Sequence, residues 1–85
     1  MTPEKILATE YCNILRATLP GDMMDKLRNG EGVPCDYCDG NEVMAEAFDV
    51  LGLTLWDEGH IADSAFSLWN AAFDMANAAC FTLAD

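Results

Sequence analysis

After Arg28 the chain has no lysine or arginine. The first thirty residues balance four basic side chains against four acidic ones, whereas Glu31 to Asp85 holds eleven Asp or Glu and so carries the whole net charge of −11. A one-sign field repels nucleic acid and anionic membrane and attracts basic surfaces, so direct nucleic-acid and membrane binding are excluded and a basic partner is expected. A targeting leader is missing too: Met1-Thr2-Pro3-Glu4-Lys5 has no basic n-region and no apolar run follows it, which predicts a cytoplasmic protein. Residues 61–84 are apolar, but Asp63, Asn70, Asp74 and Asn77 interrupt them. A mid-span Asp costs about 2.5–3.5 kcal/mol, which argues against a membrane span. No nucleophile–base set, phosphate loop or metalloprotease helix is present, and a chain of 85 residues rarely encloses a catalytic cleft, so an enzyme is not expected. Internal repeats and low-complexity runs are also lacking.

What is there reads as helix. The length sets one domain over residues 1–85, all-α, a small bundle of three to four helices with a cysteine-containing loop between the second and third. Thr2 and Pro3 form an N-cap and first-turn pair, and Leu7, Tyr11, Ile14, Leu15 and Thr18 follow at helical spacing, predicting a helix over 3–19. Asp22 can cap a second, over 22–29, ended by Asn29-Gly30. Asn41 is the expected cap of a third, over 42–51, with an apolar stripe from Val43 to Leu51 before Gly52. Leu53 to Trp56 is too short for a paired strand and predicts an apolar linker, followed by a turn over Asp57-Glu58-Gly59-His60. The last helix, 61–83, has one narrow polar stripe of Asp63, Ser67, Asn70, Asp74 and Asn77. That leaves two apolar faces, Phe66, Trp69, Phe73 and Cys80 on one and Leu68, Ala72, Met75 and Leu83 on the other. Such a helix either sits centrally in the bundle or meets a second copy in a homodimer.

A reducing cytoplasm favours four thiols or metal ligands over disulfides. Cys35 and Cys38 fit C-x-x-C-x-G, the shape of a zinc knuckle, but a structural zinc needs four ligands and the other candidates are Cys12, Cys80 and His60. Cys12 and Cys80 sit at apolar helical positions and are expected as core thiols. His60 falls at a predicted helix start, where capping or surface exposure is the default. Zinc can be held here, yet no cofactor is required. Asp36, Asp39, Asn41 and Glu42 fail the calcium-loop spacing, and no βαβ pattern supports a redox role for the pair.

Asp39, Glu42, Glu46 and Asp49 recur at three and four residues, one line along the third helix at about 4.5–6 Å axial spacing. With Asp57, Glu58 and Asp63 they can imitate a phosphate edge, whose charges advance about 3.4 Å per nucleotide along one strand. Like charges at i,i+4 cost about 0.2–0.5 kcal/mol per pair, offset in part by the helix N-terminus. In its charge pattern over residues 31–85 the chain resembles the small acidic proteins of phages and mobile elements that mimic DNA or plug nucleic-acid channels, among them anti-restriction and anti-CRISPR proteins. The resemblance implies an inhibitor acting in the host cytoplasm on a nuclease, a CRISPR effector, a repressor or a polymerase. Trp56 and Tyr37 are candidate interface anchors, with core packing the default for Trp56. The alternative is a zinc- or dimer-stabilised adaptor that uses the apolar last helix, its acidity serving solubility alone.

Overall fold

The computed structural model describes residues 2–83, with side chains as far as Ala78. Thr2 and Pro3 start α1, Pro3–Thr18: the Thr2 hydroxyl accepts the Lys5 N–H at 3.3 Å, and Pro3 fills a first-turn position that needs no donor. Pro20 rather than Asp22 precedes α2, Gly21–Arg28, and Asp22 lies inside the first turn, where its charge favours the helix N-terminus. At the other end Gly30, with φ +80°, lets Gly30 and Glu31 return hydrogen bonds to the Leu27 and Lys26 carbonyls, a Schellman ending.

The third helix, α3, spans Gly40–Val50, starting two residues earlier than the sequence predicts. Its cap is Asp39, whose carboxylate accepts the Glu42 N–H at 3.3 Å, and not Asn41. Either residue type can cap, and the preceding loop decides which one has the extended backbone. Gly52 closes α3 as expected, with Leu53 N–H reaching the Phe48 carbonyl at 2.8 Å.

The linker is a correction. Trp56–Asp57 (β1) and His60–Ile61 (β2) pair antiparallel, with Trp56 opposite Ile61 and Asp57 opposite His60. Glu58 and Gly59 both take positive φ, +49° and +85°, the geometry of a two-residue hairpin turn. Ala62 N–H to the Leu55 carbonyl, 2.7 Å, extends the pairing inward, and Leu55 is buried. His60 is thus an exposed strand residue, not a helix start.

The last helix, α4, runs Asp63–Leu83. It packs chiefly on α1, and α1 also contacts α3, so the central helix is α1 and not the last one. Leu7, Ala8, Tyr11, Cys12 and Leu15 of α1 are fully buried. Ala65, Ala72 and Ala76 of α4 are buried among them, small side chains that let two helix backbones approach closely. An aromatic chain crosses the core from α1 through α4 to α3: Tyr11 lies edge-on to Phe73 at 5.5 Å, Phe73 to Trp69 at 5.1 Å, and Trp69 tilts on Phe48 at 5.9 Å. The polar stripe of α4 faces solvent throughout, but Phe66 is 56% exposed and does not share the burial of Trp69. Cys80 and Leu83 lie outside the residues whose side chains are described. Among the described residues no helix is long and apolar enough to cross a membrane. The architecture is a small all-α bundle of four helices with one minimal hairpin.

Candidate partner-binding site

The loop between α2 and α3 is held by its own polar groups. Pro34–Asp36 form one 3-10 turn. The Asp36 carboxylate accepts the Val33 N–H at 2.9 Å, the Tyr37 hydroxyl donates to the Glu31 carbonyl, and the Cys38 thiol donates to the Pro34 carbonyl at 3.3 Å. Tyr37 is therefore a half-buried staple of this loop and does not line the cleft described below.

Cys35 and Cys38 are free thiols, the first exposed and the second half-buried. Cys12 is disulfide-bonded, which corrects the expectation of four thiols and removes it from any ligand set. Its burial follows from its apolar position on α1, as expected, and only the bond goes beyond what spacing along the chain reveals. His60 stands on the hairpin, and Cys80 lies outside the described side chains. Among the described residues no three or more His, Cys, Asp or Glu side chains come together as a metal site.

Beneath the cysteines, Tyr11 is 0% exposed and its hydroxyl has no hydrogen-bond partner of normal geometry, although the Cys35 sulfur crowds the same spot. Gly40 is required here: an added Cβ would overlap Cys35 Sγ and stand 3.1 Å from Tyr11 Oη. Burial, and after it the neighbouring Cys35 and Cys38, hold the Tyr11 phenol protonated well above its ordinary range. Burial first, then Cys35 and Asp39, push the Cys38 thiol up as well, opposite to the lowered pKa of a reactive dithiol. Both groups keep their protons more tightly folded than unfolded. The unfolded chain releases them first, so rising pH favours unfolding. The contribution is intact below the ordinary Cys38 value of 9.0 and is lost progressively above it and above the ordinary Tyr11 value of 10.0. Thermal melts between about pH 7 and about pH 11 should show a falling Tm from about pH 9 upward, and a level Tm would contradict this burial.

The seven carboxylates singled out from the sequence, Asp39, Glu42, Glu46, Asp49, Asp57, Glu58 and Asp63, are all exposed. They lie on three consecutive elements: α3, the hairpin and the first turn of α4. Asp39 and Glu42 are brought together with aromatic residues at a cleft of about 540 Å³, whose other walls are Asn41, Ala45, Trp56, Ile61 and Trp69. Glu46, Asp49, Asp57, Glu58 and Asp63 do not line it.

Trp56 overturns its default. It is 59% exposed, because its strand position sets it opposite Ile61 on the cleft face, while Leu55, one residue earlier, points into the core. Sequence reasoning missed Ile61 and Trp69 as cleft residues. The hairpin pairing that presents Ile61 beside Trp56, and the packing that makes Trp69 a floor at 9% exposure, leave no local motif. Comparison with protein-family models, with curated proteins and with solved structures finds no match to this chain.

Proposed function

We propose that this protein is an acidic inhibitor that binds and blocks a basic partner, a nuclease, CRISPR effector or other nucleic-acid-binding protein, through the face formed by α3, the hairpin and the start of α4. The observation that supports this most is the exposure of all seven carboxylates on segments with no lysine or arginine. The four basic residues, Lys5, Arg16, Lys26 and Arg28, lie on α1 and α2. A Lys/Arg-lined surface that binds phosphate backbones, displacing their condensed counterions, is the surface such a face competes for.

A second reading has one observation behind it: Phe66 of α4 and Val50 at the end of α3 are large apolar side chains more than half exposed, as an adaptor or homodimer contact requires. Salt separates the two. A partner captured from host lysate and measured at rising ionic strength should lose at least tenfold in affinity between about 0.01 M and about 0.15 M, as the Debye length shortens from about 30 to about 8 Å. An affinity level across that range favours the apolar contact and removes the electrostatic one.

A further inference from the structure

The cleft beside α3 combines two features. An indole is left mostly in water, and acidic side chains stand at its edge with no basic group among the cleft residues. An exposed Trp anywhere on a domain of this size needs no explanation by itself. Here the Trp56 ring forms one wall of a cleft whose volume, about 540 Å³, lies within the range of ligand pockets, roughly 300–1,000 Å³. Trp69, Ile61 and Ala45 give it an apolar floor and sides, and the aromatic contacts of Trp69 with Phe48 and Phe73 fix that floor to the core.

Charge selects the occupant. The net charge of −11 excludes an anionic ligand, and an uncharged apolar ligand leaves Asp39 and Glu42 at the rim without a counterion. The N-terminus of α3 opens onto the same cleft and opposes a cation, but its effective charge is about half a unit. The Asp39 carboxylate already accepts one of its N–H groups, and Glu42 adds a second full negative charge. The balance stays negative. Between the two basic side chains, a guanidinium is planar, stacks on an indole and presents a fork of donors that matches a carboxylate, whereas an ammonium is a compact, strongly hydrated point charge.

We infer that this cleft is the socket for an arginine side chain on the partner's basic surface, its guanidinium lying against the Trp56 indole with the Glu42 and Asp39 carboxylates at its edge. The inference rests on the acidic-inhibitor reading and names the anchor within it. Trp56 and Ile61 supply the stacking wall, Glu42 supplies the carboxylate with no role in capping, and Asp39 both caps α3 and adds charge.

The test uses the full chain and two peptides of equal charge, hexa-arginine and hexa-lysine, at low salt, followed by the indole N–H resonances of Trp56 and Trp69. Hexa-arginine is expected to shift both resonances saturably and to bind about tenfold more tightly than hexa-lysine. Trp56→Ala should lower the hexa-arginine affinity about tenfold, to near that of hexa-lysine, and Trp56→Phe should restore part of it. Glu42→Gln, which leaves the cap of α3 in place, should cost about fivefold and guards against a folding defect at the hairpin. If the two peptides bind equally and neither variant changes hexa-arginine affinity, the socket is overturned while the acidic-surface reading stands. If neither peptide binds the native protein at low salt, both fall together.

Discussion

Replacing Glu42, Glu46 and Asp49 together by lysine is expected to weaken binding of the basic partner by at least a hundredfold while leaving the helix content unchanged. The three side chains stand along the solvent face of α3, where nothing in the core depends on them. Putting positive charge against a positive surface costs several kcal/mol, and a hundredfold loss corresponds to about 2.7 kcal/mol. The cost to the fold is much smaller. Lysine is as good a helix former as glutamate, the like-charge repulsion along the line is exchanged for repulsion of the other sign, and the net penalty comes from Lys at position 42 near the helix N-terminus, about 0.3–1 kcal/mol. Circular dichroism and a binding isotherm on the same sample separate the two effects. Unchanged affinity with intact helicity removes the electrostatic reading altogether.

Trp69→Ala is expected to lower stability by about 3–5 kcal/mol, a large share of what a domain of this size possesses. Trp69 stands at the junction of the aromatic chain, touching Phe48 of α3 and Phe73 of α4, and also floors the cleft. Each kcal/mol lost shifts Tm by about 4–8 °C in a domain of this length, so the melting temperature should fall by at least about 12 °C. Tyr11→Phe supplies the internal control. It keeps the edge-on contact with Phe73 and removes only a buried hydroxyl whose close polar neighbour is the Cys35 sulfur, a weak hydrogen-bond partner, so its stability should stay within about 1 kcal/mol of the native chain. A Trp69→Ala variant that melts within a few degrees of native, or a Tyr11→Phe variant that loses several kcal/mol, would show the aromatic chain to be packed differently.

The Cys12 disulfide and the hairpin share a lesson. The four cysteines read as thiols or metal ligands because cysteine spacing in a cytoplasmic setting gives no pairing, whereas Cys12 is disulfide-bonded within the buried face of α1. The segment after α3 read as a linker because strands of two residues carry no alternation, and the turn residues are Glu58-Gly59 rather than a strong hairpin pair such as Asn-Gly. In both cases the deciding contact lies between residues that local patterning treats separately.

The sequence alone determined the four helical segments, because the capping residue Thr2, the glycines at positions 30 and 52 and the apolar stripes act within a few residues of where they stand. It also determined the exposure of all seven carboxylates, since burying an unpaired charge costs too much for any fold of this chain to accept. Only the tertiary structure decided that α1 is central, that Asp39 rather than Asn41 caps α3, and that Trp56 faces solvent beside Ile61, Trp69 and Glu42. Those outcomes depend on which helix faces dock and on the register of a two-residue strand pair, where a shift of one residue would send Trp56 to the other face.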